Sequence, residues 1–180
     1  VRAFLSAAAE LRELLRADEV DLDGFHRRLV EALALSWDSK TAAFAAKMVL
    51  YSCLAAERAW RGGWSVPMPI DYRAALVSLT SGMLRGWSCG ADLLSLASRA
   101  RSAKKSELLR LWRRASEEAG VPPVVLDSAV WVPGGCIESH LRRAEALESC
   151  IARLVGRRES FLRALSELWA QLEACSREQA

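Results

Sequence analysis

Lys40, Phe44, Lys47 and Tyr51 stand at i, i+4, i+7 and i+11, the spacing that puts four side chains on one face of a helix. An amine is a carbon nucleophile only when uncharged. Lys40 would occupy the first turn of that helix, where unpaired N–H groups and the macrodipole disfavour a second positive charge. Its other reading is a plain surface lysine. Lys47 lies inside Ala-Ala-Phe-Ala-Ala-Lys-Met-Val-Leu-Tyr. A lysine in so apolar a helix either carries its amine to the surface on its stem or serves a polar task in a cleft. Asp71 follows Pro67-Met-Pro-Ile, a stiff extended lead that fixes where its carboxylate points. As an N-cap it is held as the anion, and an anion there either caps alone or stabilises a developing cation.

Helices must position these groups, because three- and four-residue apolar spacing runs through the chain and no sustained alternation appears. The expected elements are helices over about 4–15 and 25–35, with Asp21 and Asp23 as caps between them. A long helix is expected from Lys40 to about Trp60, entered through Asp38 or Ser39 and ended before Gly62-Gly63. Others are expected from Tyr72 to about Met83, from Gly90 to about Arg99, and from Lys104 to Ala119. Pro122-Pro123 open a helix carrying Asp127 and Trp131, which Pro133-Gly134-Gly135 should break. Two final helices, about 137–155 and 157–175, complete an all-α architecture of eight to ten helices. The last bears a stripe of Phe161, Leu162, Leu165, Leu168, Trp169 and Leu172 that must pack on something.

At 180 residues, 52% hydrophobic and 26% charged, the chain is long enough to bury a core and too apolar to be disordered. No apolar run approaches the roughly 20 residues of a membrane span, and no basic-then-apolar leader opens the chain. A soluble, cytoplasmic protein is therefore expected. The net charge of +3 hides 21 Arg against 4 Lys. From Arg99 to Arg114 seven basic residues face a single Glu107, either a phosphate-binding patch or a solvated helix face. The five cysteines form no C-x-x-C, so zinc ribbons and thioredoxin motifs are excluded and buried reduced thiols are expected. Cys136 and His140, four apart, are too few to make a metal site. No nucleophile elbow, P-loop, dinucleotide fingerprint or H-E-x-x-H occurs, and His26 and His140 sit in unremarkable helical contexts.

Three blocks resemble, in order and spacing, the archaeal 8-oxoguanine DNA glycosylase family, a divergent branch of the helix-hairpin-helix glycosylase superfamily. They are Lys40-Thr-Ala-Ala-Phe-Ala-Ala-Lys-Met-Val-Leu-Tyr, Val66-Pro-Met-Pro-Ile-Asp-Tyr-Arg and Ala119-Gly-Val-Pro-Pro-Val-Val-Leu-Asp-Ser-Ala-Val-Trp. The likeness implies a single helical domain over residues 1–180, strongest over 40–131, with a cleft between two helical lobes and C-terminal helices over 137–180. It implies that Lys40 and Asp71 are catalytic and that Phe44, Lys47, Pro69, Asp127 and Trp131 surround the extruded base. It also implies base excision with Schiff-base strand cleavage, no metal or organic cofactor, and double-stranded DNA containing oxidised guanine as the partner of a monomer located with the nucleoid. Two features depart from the family. Only 39 residues precede Lys40, and the hairpin Ala34-Leu-Ser-Trp-Asp-Ser lacks the glycine that normally brings backbone N–H groups to a phosphate. A DNA-binding relative with impaired catalysis and a helical protein-interaction domain are the alternatives.

Overall fold

The computed structural model describes residues 2–141, 144–155, 166–171 and 174–175. In chain order the elements are α1 (Arg2–Arg16), β1 (Glu19–Asp21), α2 (Leu22–Leu33), α3 (Lys40–Ala55), β2 (Ala59–Arg61), α4 (Tyr72–Thr80), α5 (Leu93–Ala103), α6 (Lys105–Ala119), α7 (Pro123–His140) and α8 (Ala144–Val155). A short 3-10 turn covers Glu167–Trp169. The helical expectation holds, and among the described residues no single helix is long and apolar enough to cross a membrane.

The chain folds as two compact units, one of Val1–Pro69 with Trp112–Asp127 and one of Ile70–Leu111 with Ser128–Ala180. In the first, α1 packs on α2 and α2 on α3. Leu22, Phe25, Leu29 and Ala32 line the buried stripe of α2, and Ala42, Ala43, Ala46 and Leu50 that of α3. The small alanines let the two helices approach closely, and Val20, Val66 and Val124 close the core. Asp21 caps α2 as expected, accepting from the Gly24 N–H at 3.0 Å. Asp23 does something else: its Oδ1 accepts from the Ser65 N–H at 2.9 Å and the Ser65 hydroxyl at 2.8 Å, anchoring the loop that leads to Pro67 and Pro69. Gly63 (φ +86°) must be glycine, since a Cβ there would stand 2.8 Å from Val124 Cγ1.

Three expectations are corrected. The helix from Lys40 ends at Ala55, short of Trp60. Glu57 turns into the left-handed region (φ +52°) and Arg58 donates back to the Cys53 carbonyl at 2.9 Å, closing the helix. The chain freed there forms β2, which pairs in parallel with β1, Val20 opposite Trp60. A three-residue strand carries too little alternation to be read from sequence. The second correction is that Pro133-Gly134-Gly135 do not break α7, which runs to His140. Proline inside a helix costs about 3 kcal/mol, and here packing offsets it. Val130, Pro133, Gly134, Cys136 and Ile137 are buried, and Gly134 lies against Arg73, where a Cβ would come within 3.2 Å of the Arg73 Cβ.

The third correction concerns sulfur. Cys89 pairs with Cys175 and Cys136 with Cys150, both within the second unit, leaving Cys53 as the free, buried thiol. That unit is built on α4, buried continuously from Ala74 to Thr80. Helix α5, capped by Asp92 onto the Ser95 N–H at 3.2 Å, packs on α4 through Leu93, Ala97 and Ala100. Leu147 and Ile151 of α8 are buried, as is Trp169. Most of the expected final stripe (161–165 and 172, and the side chain at 168) lies outside the described residues.

Candidate active site

Lys47 is not at the surface. Its ammonium forms an ion pair with Asp127 Oδ2, both side chains only 4% exposed. Two rings of the same helix face flank it, Phe44 with its centroid 5.7 Å from the Lys47 Nζ and Tyr51 at 5.4 Å. The i, i+3 and i+7 positions of α3 thus place the Lys47 side chain beside two aromatic rings. Phe44 and Tyr51 keep 45% and 37% of their surface exposed, so apolar faces remain open beside a buried donor–acceptor pair. A cation, a carboxylate and a flat apolar wall are the groups that read the edge and face of a planar heterocycle.

Lys40, two turns earlier, is the first residue of α3 and is exposed. Ser39 is the N-cap but makes no side-chain cap bond. The turn before it forms without a glycine. Ala34 itself adopts the left-handed conformation (φ +51°), donating to the Glu31 carbonyl, and Leu35 donates to the Val30 carbonyl at 3.0 Å. On that hairpin Trp37 is 48% exposed and meets His26 edge-on at 6.5 Å. His26 is 1% exposed, and burial, partly opposed by Asp23, lowers its pKa.

In the second unit Asp71 is the N-cap of α4, as expected, its Oδ1 accepting from the Ala74 N–H at 2.9 Å. Trp131 of α7 is 43% exposed, and the Arg73 guanidinium lies over its ring at 4.4 Å. Arg73 Nε also donates to Glu138 Oε2 at 3.1 Å. Burial first, then the carboxylates of Glu138 and Asp92, raise the pKa of Tyr72 between Asp71 and Arg73. Pro69, the last buried residue of the first unit's loop, stands two before Asp71.

The structure therefore joins Phe44, Lys47 and Asp127, with Tyr51, in the first unit; Lys40 belongs to that unit as well. Asp71 and Trp131 belong to the second. Arg73 and Glu138 were not singled out from sequence; the only signal was Arg73's place at the end of the Asp-Tyr-Arg block. Within the basic stretch three side chains have acidic partners on their own or the adjoining helix turn. Arg113 pairs with Glu117 at 3.1 Å, Arg114 with Glu118 at 2.7 Å and Lys104 with Glu107 at 3.2 Å. Two of those glutamates lie just beyond the stretch counted in the sequence. No group of three or more potential metal ligands exists among the described residues.

Comparison with known proteins follows the same line. An N-glycosylase/DNA lyase from Pyrobaculum aerophilum is 23% identical over 112 residues, covering 62% of this chain and 40% of that protein. The crystal structure of 8-oxoguanosine-complexed Pa-AGOG, the 8-oxoguanine DNA glycosylase of Pyrobaculum aerophilum, matches with a TM-score of 0.57 at 19% identity. The match covers 84% of this chain and 50% of that one, so the chain spans half or less of the relatives it resembles. At that identity the structural likeness establishes the fold. The family description AGOG, N-glycosylase/DNA lyase, matches residues 1–172, nearly the whole sequence, and the chain belongs to that family.

Proposed function

We propose that this protein excises 8-oxoguanine from duplex DNA and then cleaves the strand at the resulting site. The observation that carries the reading is the buried Lys47–Asp127 pair beside Phe44, the three residues that the family resemblance implies surround the extruded base. Family membership over residues 1–172 supports the reaction class.

In this reading the damaged nucleotide is rotated out of the helix at a cost of about a few kcal/mol of unstacking. Phe44 and Trp131 supply stacking surfaces, and Pro69 stiffens the approach to Asp71. Asp127 accepts from the N7–H that 8-oxoguanine has and guanine lacks. The Asp71 carboxylate stabilises the oxocarbenium-like sugar as the C1′–N9 bond breaks, its electron pair leaving with the base. The uncharged Lys40 amine forms the new bond to C1′. Opening of the sugar ring gives a Schiff base, which acidifies the C2′ proton. Loss of that proton expels the 3′ phosphate by β-elimination.

A duplex carrying one 8-oxoguanine and a 5′ label tests this on a denaturing gel. The expected result is free base and a cleaved strand, with a guanine duplex left intact. Salt-sensitive binding without product would instead identify a non-cleaving DNA-binding relative. No retention on DNA at low salt would identify a protein-interaction domain.

A further inference from the structure

Arg73 makes three contacts within the second unit that no catalytic role explains. Its guanidinium covers the Trp131 ring at 4.4 Å. Its Nε is fixed by Glu138 Oε2 at 3.1 Å. Its stem lies on a stretch of α7 made of two glycines: a Cβ at Gly134 would stand 3.2 Å from the Arg73 Cβ, and one at Gly135 would stand 3.4 Å from the Arg73 Cζ. An alanine at position 134 would press on the arginine, and one at 135 would just reach the guanidinium. Trp131, Gly134, Gly135 and Glu138 thus fall within two turns of one helix; Arg73 contacts the tryptophan and the glutamate and lies where side chains at the two glycines would point. Trp131 nonetheless keeps 43% of its surface exposed. An exposed indole normally samples several rotamers; one backed by a planar cation held by its own ion pair does not.

We propose that Arg73 is a positioning residue that holds the Trp131 indole in one orientation, with Glu138 orienting the guanidinium and Gly134-Gly135 giving it room. The inference rests on the proposed role of Trp131 in stacking on the extruded base. Arg73 then acts through Trp131 and touches no reacting atom. Its loss weakens capture of the base, which appears in KM for excision. Cleavage at a preformed abasic site, where there is no base to stack, depends on it less.

Two measurements on the whole protein test this. In protein labelled with 5-fluorotryptophan, the Trp131 resonance among the seven tryptophans is assigned by Trp131→Phe. Arg73→Ala is expected to shift and broaden it, with partial recovery in Arg73→Lys. In kinetics, Arg73→Ala is expected to raise KM for 8-oxoguanine excision about tenfold with a smaller change in kcat, so that excision falls several-fold more than abasic-site cleavage. Glu138→Gln, which keeps the side-chain volume, is expected to move both readouts in the same direction and less far. It also serves if Arg73→Ala does not fold. An unmoved Trp131 resonance, or excision and abasic-site cleavage falling by the same factor, overturns the inference alone. A wild-type protein that cleaves neither substrate overturns the proposed function, and the stacking role with it.

Discussion

Lys47 and Asp127 show how a single residue's surroundings decide its meaning. An isolated charge of either sign is costly at 4% exposure, and the ion pair offsets that cost for both groups. Lys47→Met and Asp127→Leu should each lower the unfolding free energy by about 3–5 kcal/mol, since each removes the opposite charge from one that stays buried. The double variant should lose clearly less than the sum, and denaturant unfolding of the four proteins measures the cycle. His26 gives a second prediction at this scale. Its pKa is lowered chiefly by burial, so below the unfolded value of about 6.5 the unfolded chain takes up a proton that the folded chain resists. Stability should be flat above that pH and fall as the solution is acidified through the window beneath it. Melting temperatures between pH 7.5 and 5.5 should show this, and His26→Phe, which keeps a ring against Trp37, should flatten the slope.

Among the elements, the N-terminus of α4 separates capping from charge. Asparagine caps a helix as well as aspartate does. Asp71→Asn should therefore leave the melting temperature nearly unchanged and DNA binding largely intact while base excision collapses. Asp71→Ala should in addition cost about 1 kcal/mol of stability. Unchanged turnover in Asp71→Asn would remove the carboxylate from the chemistry. The caps at Asp21 and Asp71 were legible in the sequence because a cap bond is local, spanning three residues. So was the shared face of Lys40, Phe44, Lys47 and Tyr51, which is pure helical period. What was not legible is long-range. Asp127, the partner of Lys47, lies 80 positions later, and the sequence could not choose between a buried amine and one carried to solvent. The Pro133-Gly134-Gly135 run reads locally as a stop, and the helix goes on because Pro133 and Gly134 are buried in the second unit, with Arg73 lying beside the glycines. The parallel pairing of Val20 with Trp60 is likewise a contact between distant segments.

At the scale of the molecule, sulfur was the largest misreading. Spacing can argue against metal motifs, yet it says nothing about which thiols meet in space. The Cys136–Cys150 link joins α7 to α8 across 14 residues, and Cys89–Cys175 closes a loop of 86. By the entropy such loops lose when closed, the two links are worth up to about 3 and 4.6 kcal/mol. Reduction under native conditions should lower the melting temperature by several degrees, with Cys53 unable to substitute for either partner. An unchanged melting curve in excess dithiothreitol would contradict both links.

The proposed strand cleavage depends on Lys40 as the nucleophile. With only four lysines in the chain, borohydride trapping on a duplex containing 8-oxoguanine reads it directly. The wild-type protein should give a stable protein–DNA adduct, and Lys40→Ala, folded by circular dichroism, should give none. An adduct of undiminished yield in Lys40→Ala would show that the covalent chemistry belongs to another residue.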